Sequence, residues 1–424
     1  MTYRFVHAAD IHLDSPLRSL ALRDPGLADL IGNATRRAFV GIVDLCLDER
    51  VDALLLAGDL YDGDQTSMKT ARFLAEQFRR LHEAGIRVFS IRGNHDALSR
   101  ITKELTLPES VKVFGGRAEA VEVERPVGST PVTIHGLSFA QPHAPESLLP
   151  RYRAPVEGAV NIGLMHTSLG GAAGHDPYAP CSVADLQASG FRYWALGHVH
   201  GRSITEGACT VVMPGMPQGR DINEAGPKSV TLVTIGDDRS VRHEERLTSL
   251  AQFERVTVDL EGIEDWRDIA GVLARSLERS RDNAVSEHLV ARLRVTGTTA
   301  LAWRARRDHD LLQAEAGDRA SVIGRCWIEK LEVDCRAPGD PADRVADPIV
   351  ELRRLIDERV RDTDAFRAEV AGIAEELRAQ LPPECRAILG LDEVEADGIL
   401  AAMVGEGTDD VLARLHVDAG AATP

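Results

Sequence analysis

The feature that most constrains the fold of this chain is a set of short apolar runs, each ending in residues of a type that can ligate a metal. One run, Leu54–Ala57, stops at Gly58 and is followed directly by Asp59. A short apolar run that ends at a glycine is typical of a buried parallel strand, and in open α/β sheets ligands collect at the carboxyl ends of such strands. Gly-Asp after a single run is more often an ordinary turn. Several such runs in one chain instead predict a shared site.

Four other strand-like runs end in the same way. They lead into Asp10 and His12, into Asn94, His95 and Asp96, into His166, and into His198 and His200. Helix-like sequence separates the first three runs, and strand, helix and strand in this order predict a βαβ unit. Residues 97–160 contain shorter β-like runs divided by Pro and Gly. This irregularity favours a mixed α/β sheet over a purely doubly wound one.

The pattern changes after about residue 245, which predicts further domains. We expect a catalytic domain over 1–240, a small α+β cap domain over 245–335 and a helical partner-docking tail over 347–424. The tail carries a one-sided apolar stripe formed by Phe366, Val370, Ile373, Leu377 and Leu381. Because a monomer of this size normally covers such a stripe, we expect it to meet either the cap or a partner protein.

Charge and cysteine content limit the classes of function. The net charge is -17, of which residues 1–240 contribute -4, residues 241–350 -4 and residues 351–424 -9. This distribution argues against tight, metal-independent DNA binding, but bound cations would offset the carboxylates of a site that takes a polyanion. The six cysteines form no C-x-x-C pair, and no apolar stretch is long enough to span a bilayer. We expect reduced thiols and a cytoplasmic protein.

The residue types at the strand ends indicate a particular metal chemistry. The set has two aspartates, one asparagine and four histidines, namely Asp10, His12, Asp59, Asn94, His166, His198 and His200. Mixed oxygen and nitrogen ligands suit divalent ions such as Mn²⁺ or Fe²⁺. Two ions about 3.5–4 Å apart need a bridging ligand, and a carboxylate serves best among these residues. Asp59 is therefore the predicted bridge.

The order D-x-H, G-D, G-N-H-D, H and G-H-x-H resembles that of the calcineurin-like metallophosphoesterases. With the segment Pro214–Arg220 after the last motif, the chain is most similar to the SbcD/Mre-type DNA exonucleases, particularly the bacterial YhaO branch. The resemblance covers roughly residues 1–240. It implies a four-layer α/β/β/α sandwich and two divalent ions, most often Mn²⁺ with Fe²⁺ or Mg²⁺ as alternatives, that activate a water for attack on a phosphodiester.

The same resemblance implies roles for individual residues and partners. One ion would be held by Asp10, His12, Asp59 and His200, and the other by Asp59, Asn94, His166 and His198. His95 would be the general acid that protonates the leaving oxygen, with Asp96 as the neighbour that orients it. The implied partners are DNA, an SbcC-like or YhaN-like coiled-coil ATPase, and a second copy of the chain in a homodimer.

Other interpretations of these residues stay open at this point. A phosphatase or cyclic-nucleotide phosphodiesterase would use the same site on small substrates, and a non-catalytic scaffold would only bind the metals. Arg220 is equally expected to meet a phosphate or to be a solvated loop residue. Asp14 and Asp62 are expected to support the ligands or to lie in turns.

Overall fold

The computed structural model describes residues 2–15, 25–61, 67–97, 107–141, 143–170, 178–338, 348–381, 389–390 and 393–415. The chain forms two compact units. The first contains residues 1–254 and 280–290, and the second contains residues 255–279 and 291–424. Asp62 lies outside the described residues, as does most of the segment between the predicted cap and tail. The domain boundaries given above stay predictions.

The first unit contains a six-stranded sheet in the order β12-β11-β1-β2-β3-β4. Its strands are β1 (Tyr3–Ala8), β2 (Ala53–Ala57), β3 (Arg87–Ile91), β4 (Val111–Val113), β11 (Ser229–Ile235) and β12 (Val241–Leu247). Strands β1 to β4 are parallel, so their carboxyl ends share one edge, whereas β11 runs antiparallel to β1. This parallel core is the predicted βαβ arrangement.

A second six-stranded sheet has the order β5-β6-β7-β8-β10-β9. Its strands are β5 (Glu119–Val123), β6 (Val132–Gly136), β7 (Val160–His166), β8 (Tyr193–Gly197), β9 (Ser203–Thr205) and β10 (Thr210–Met213). Strands β6, β7, β8 and β10 are parallel, while the outer strands β5 and β9 are antiparallel to their neighbours. His166 closes β7, and His198 follows β8 directly.

Three apolar layers hold the first unit together. The two sheets face each other across a core that includes Phe5, Leu55 and Tyr193. Helices α1 (Pro25–Asp48) and α2 (Met68–Glu83) cover the outer face of the first sheet, and the short helix α3 (Val183–Ala188) covers the second. The continuous apolar runs of these strands place apolar side chains on both faces of a sheet, so both faces require cover. The predicted four-layer α/β/β/α sandwich is confirmed.

One buried histidine links the two sheets. The imidazole of His7, on β1, accepts a hydrogen bond from the Tyr193 hydroxyl at 3.0 Å through Nδ1 and donates through Nε2 to the Leu196 carbonyl at 3.0 Å. Burial lowers the pKa of His7 to about 3, so this histidine is neutral and structural. It lies outside the predicted motifs, where core or surface histidines are expected.

The chain then forms a three-stranded sheet in the order β13-β14-β15 with helices beside it. The strands are β13 (Ala251–Asp259), β14 (His288–Thr298) and β15 (Cys326–Arg336), and the helices are α4 (Trp266–Asn283), α5 (Ala302–Arg307) and α6 (His309–Ile323). Leu273, Leu293 and Leu312 are buried among these elements. The predicted small α+β arrangement is present in this part of the chain.

The tail is helical, as expected, and its apolar stripe is only partly covered. The helices are α7 (Pro348–Ile356), α8 (Asp364–Gln380) and α9 (Glu393–Leu415), with one π-type turn at Asp357–Arg361. Helix α9 buries Leu412 and Ala413 and packs against α5, whereas none of the described side chains of α8 is buried. Among the described helices, none combines the length and apolar composition needed to cross a bilayer.

Candidate metal centre

The predicted site residues lie in the loops that leave the carboxyl ends of the parallel strands. Hydrogen bonds between backbone groups join the first two loops, because Asp10 N donates to the Gly58 carbonyl and His12 N donates to the Asp59 carbonyl, both at 3.1 Å. The backbone N–H of His198 donates to the carboxylate of Asp10 at 3.0 and 3.1 Å. The ends of β1, β2 and β8 therefore meet at one place.

Backbone strain is concentrated at this place. Positive φ angles occur at five non-glycine residues of these loops, at Asp10 (53°), His12 (46°), Asp14 (58°), Asp59 (52°) and His198 (103°). Each such residue costs about 1–3 kcal/mol and persists only when the surroundings hold it there. Close packing provides that restraint, since a Cβ at Gly93 would lie 2.3 Å from Asp59 Oδ1. The loops are therefore held in one ligand-presenting conformation.

Two groups of ligand atoms result, each with its atoms within 4.8 Å of one another. The first, called here the Asp10 group, consists of Asp10, His12 and His200. Within it the Nε2 atoms of His12 and His200 are 3.3 Å apart. Two imidazole nitrogens and a buried carboxylate that converge in this way form a donor set that suits a divalent cation.

The second group, called here the Asp59 group, consists of Asp59, His166 and His198. Asn94 joins it, because Asn94 Oδ1 lies 2.9 Å from His166 Nε2 and 3.2 Å from His198 Nδ1. Asp59 Oδ2 is 3.3 Å from His166 Nε2. All seven predicted ligands are thus brought together, and the donor types of both groups fit a pair of divalent cations. Their roles as ligands, and Asp59 as the bridge, stay predictions.

Hydrogen bonds outside the two groups orient their histidines. His166 Nδ1 donates to the Ala57 carbonyl at 2.9 Å, which leaves Nε2 as the atom that faces Asp59 and Asn94. His200 Nδ1 donates to Glu224 Oε1 at 2.9 Å, which leaves Nε2 facing His12. Bonds of this kind fix the tautomer and the ring orientation of a metal ligand.

The pKa values of Asp59 and His166 indicate that this part of the site stabilises positive charge. Burial alone would raise the pKa of Asp59, but the facing imidazoles of His166, His12 and His95 together outweigh burial and hold this pKa well below its usual range. Burial would likewise lower the pKa of His166, but Asp59 raises it to about 9. Without a cation, a proton therefore occupies His166 at neutral pH, and a metal would replace it.

His95 lies at the open edge of the site. Its side chain is exposed, its ring centroid is 5.1 Å from that of His12, and its backbone N–H donates to Asp59 Oδ1 at 3.0 Å. Asp96 is buried, and its carboxylate accepts from the backbone N–H groups of Gly93 at 2.6 Å and Leu60 at 3.0 Å. Asp96 thus joins the loops after β2 and β3, and its role in orienting His95 stays a prediction.

Two charged residues considered from the sequence have specific partners. The carboxylate of Asp14 accepts from Arg36 Nε at 2.6 Å and Nη2 at 2.5 Å, and from the Thr70 hydroxyl. Asp14 therefore ties the loop of His12 to α1 and α2, as expected for a supporting residue. The guanidinium of Arg220 pairs with Glu224, with an Nη2–Oε1 distance of 2.6 Å. This partner argues against Arg220 as a phosphate anchor.

Glu224 was not predicted from the sequence. It lies in a short 3-10 turn, Ile222–Glu224, and no periodicity marks it. Burial would raise its pKa, but hydrogen bonds from His200 and Arg220 hold the pKa well below the usual range. The only available signal was its position four residues after Arg220 in the loop that follows the last motif.

Comparisons with known proteins agree with this geometry. Residues 3–202 match the family described as calcineurin-like phosphoesterase, and residues 253–336 match the middle domain of metallophosphoesterase YhaO. The chain is 36% identical over 259 residues to the uncharacterized metallophosphoesterase YhaO of Bacillus subtilis (strain 168), over 60% of this chain and 63% of that protein.

Two more distant relatives have names that refer to DNA repair or nuclease activity. The DNA double-strand break repair protein Mre11 of Methanopyrus kandleri is 24% identical over 290 residues, 65% of this chain and 60% of that protein. One of the subunits of the nuclease SbcCD of Bacillus subtilis is 24% identical over 286 residues, 58% of this chain and 70% of that protein. The match thus spans slightly less than two thirds of YhaO and of this Mre11. Residues 3–202, which carry both candidate metal-binding groups, therefore form a calcineurin-like phosphoesterase domain, and residues 253–336 form a YhaO-type middle domain.

Proposed function

We propose that this chain is a metal-dependent DNA phosphodiesterase, an exonuclease or endonuclease of a DNA repair complex. The observation that carries the proposal is the convergence of the Asp10 group and the Asp59 group beside an exposed histidine, His95. The names of the Mre11 and SbcCD relatives support DNA as the substrate. We further propose Mn²⁺ as the metal and the cytoplasm as the location, in keeping with the buried free cysteines among the described residues.

The chain's own residues supply distinct parts of the reaction. Two divalent cations, when bound, would supply Lewis acidity that lowers the pKa of a water and offsets the charge of the phosphate. One cation would be held by Asp10, His12 and His200, and the other by Asn94, His166 and His198. Asp59 would hold both cations. The exposed ring of His95 would give its proton to the leaving oxygen, which contributes roughly 10²–10⁴-fold to the rate. The backbone N–H of His95 donates to Asp59, which ties the His95 loop to the carboxylate that would hold the cations.

The exposed side of the tail supports docking of a partner. Ile373 is 61% exposed and Leu377 42% exposed on α8, and Phe366 and Val370 line a groove of about 600 Å³ opposite Leu400. An apolar face of this kind is a site for a helical partner. We propose that an SbcC-like or YhaN-like coiled-coil ATPase binds there and that a homodimer is the working unit. The tail's charge of -9 disfavours DNA as the partner at this face.

The proposal is tested with end-labelled single-stranded and double-stranded DNA, incubated with the full chain and Mn²⁺, Mg²⁺ or EDTA. A nucleotide monophosphate ester and a cyclic nucleotide serve as competing small substrates. DNA cleavage with Mn²⁺ that EDTA abolishes is the expected result. Turnover of only the small substrates would identify a phosphatase or cyclic-nucleotide phosphodiesterase, and metal binding without any turnover would identify a scaffold.

A further inference from the structure

The carboxylate of Glu224 lies beside the Asp10 group and is mostly shielded from solvent. Its side chain is 11% exposed, and Oε1 lies 2.9 Å from His200 Nδ1. A neutral imidazole has a single N–H, so donation from Nδ1 to Glu224 leaves a lone pair on Nε2. That Nε2 atom faces His12 Nε2 at 3.3 Å. Glu224 therefore sets the tautomer in which His200 can bind a cation within the Asp10 group.

Arg220 fixes Glu224 in turn. Its Nη2 donates to Oε1 of Glu224 at 2.6 Å, its Nε donates to Oε2 at 3.2 Å, and its backbone N–H donates to Oε2 at 2.7 Å. A planar guanidinium that binds a carboxylate through two nitrogens restricts both direction and distance. The position of Glu224 is thus determined before any ligand binds.

The same guanidinium reaches the loop that carries His12. Arg220 Nη1 donates to the Ser15 hydroxyl at 3.4 Å, and Ser15 N donates to the His12 carbonyl at 3.1 Å. One hydrogen-bonded network therefore connects the side chain of His200 with the backbone of His12. It touches two of the three members of the Asp10 group, whereas His166 in the Asp59 group is oriented by the Ala57 carbonyl.

The loop that carries this network is itself anchored. The buried side-chain amide of Gln218 accepts from Leu250 N at 2.8 Å through its oxygen and donates to the Ala251 carbonyl at 2.8 Å through its nitrogen. Asp221 accepts from Asn223 N at 2.7 Å at the start of the 3-10 turn. A ligand support built on an anchored loop holds its geometry better than one on a free loop.

We propose that Glu224, held by Arg220, is the positioning residue of His200 and selectively strengthens divalent-cation binding at the Asp10 group. The inference rests on the proposed role of that group as a metal site. Removing a hydrogen-bond partner of a metal-ligating histidine typically lowers metal affinity about 10–100-fold. The network does not include the hydrogen bond between His166 and the Ala57 carbonyl. Loss of Glu224 therefore weakens the binding of only one cation of the pair. Arg220 acts through Glu224 and is not a contact for the substrate phosphate.

The experiment is a titration of the full chain with Mn²⁺, in which electron paramagnetic resonance measures the free ion. It compares the wild type, Glu224→Gln and a matched control, Glu206→Gln. Glu206 also pairs with a histidine, His243, at 2.9 Å, but its side chain is 72% exposed and it lies outside both groups. Glutamine offers one acceptor oxygen in place of two and sets an amide donor against either His200 or Arg220, so we expect one of two sites to weaken about 10–100-fold in Glu224→Gln. We expect Glu206→Gln to match the wild type.

A second comparison distinguishes positioning from a general loss of structure. If Glu224 acts through His200, then Glu224→Gln adds no further loss of Mn²⁺ binding in a His200→Ala background. Arg220→Lys keeps the charge but loses the planar guanidinium, so it should weaken the same site by a smaller factor. If Glu224→Gln unfolds at a lower temperature than the wild type in EDTA, Arg220→Lys takes its place in the comparison.

The outcomes separate the inference from the proposed function. Two sites of wild-type affinity in both Glu224→Gln and Arg220→Lys would overturn the inference while the metal centre stands. Equal weakening of both sites, or additive loss with His200→Ala, would also overturn it. A wild-type chain that binds fewer than two Mn²⁺ ions would overturn the proposed function and the inference with it.

Discussion

Replacing Asp59 by asparagine keeps the shape of the side chain but removes the negative charge between the two groups. Asp59 is buried, and its Oδ2 lies 3.3 Å from His166 Nε2. With an effective dielectric constant of ~20, two unit charges at that separation attract by roughly 5 kcal/mol, and a divalent cation doubles this energy. Desolvation of the charges offsets most of the gain. If ~3 kcal/mol of the attraction remains after desolvation, Asp59→Asn binds Mn²⁺ on the order of 100-fold more weakly than the wild type.

Isothermal titration calorimetry of Mn²⁺ into the full chain measures this change. Asp44→Asn is the matched control, because Asp44 on α1 pairs with Arg80 at 2.5 Å and its side chain is 49% exposed. A bridging carboxylate predicts that Asp59→Asn weakens both sites, whereas Asp44→Asn weakens neither. Weaker Mn²⁺ binding at a single site would mean that Asp59 ligates only the cation of the Asp59 group. Two tight sites together with normal turnover would refute the reasoning about bridging altogether.

Three further predictions use the same assays. His95→Gln should keep both metals and lose roughly 10²–10⁴-fold in turnover, and loss of metal by elemental analysis would instead make His95 a ligand. Asp59 raises the pKa of His166 to about 9, so below that pH a metal must displace a proton from His166. Mn²⁺ affinity should therefore rise about tenfold per pH unit toward pH 9 and then level off. A flat affinity profile from pH 6.5 to 9 would contradict this. Ile373→Asp with Leu377→Asp should abolish pull-down of the proposed ATPase without changing hydrolysis of a small phosphodiester, and retained binding would remove the exposed stripe from the docking surface.

Point changes on α8 test partner docking more cleanly than removal of the tail. From the sequence alone, deleting residues 351–424 is expected to leave hydrolysis of a small phosphodiester unchanged and to abolish association with the ATPase. The structure shows that α9 packs against α5 and buries Leu412 and Ala413. A deletion would therefore also uncover part of the YhaO-type middle domain. Substitutions at exposed positions of α8 avoid that effect.

The four-layer sandwich was implied by the family resemblance, whereas the convergence of the ligands could be predicted because it depends on local patterns. Each apolar run that ends in a ligand type is one strand and its following loop, and parallel strands bring those loops to one edge. Strands β9 and β12 were not predicted. Ser203–Thr205 is short and mostly exposed, and Val241–Leu247 is rich in charged residues. Such edge strands carry little of the hydrophobic pattern from which a strand is inferred.

The supports of the ligands could not be predicted, since they depend on pairings between distant segments. Asp14 bonds to Arg36, 22 residues away, and to Thr70, 56 residues away. His200 bonds to Glu224, 24 residues away, in a short turn that no periodicity marks. Four of the five stripe residues lie on α8 and Leu381 follows its end, but the pattern alone did not decide which part of the chain would cover them. In the structure α9 packs on α5, while Ile373 and Leu377 remain exposed.

The central claim is that the two groups bind a pair of divalent cations for phosphodiester hydrolysis. Anomalous diffraction from crystals of the full chain grown with Mn²⁺ tests it most directly. We expect two anomalous peaks about 3.5–4 Å apart, one beside Asp10, His12 and His200, the other beside Asn94, His166 and His198, with Asp59 between them. A single peak, or peaks away from these residues in crystals that retain Mn²⁺-dependent turnover, would contradict it.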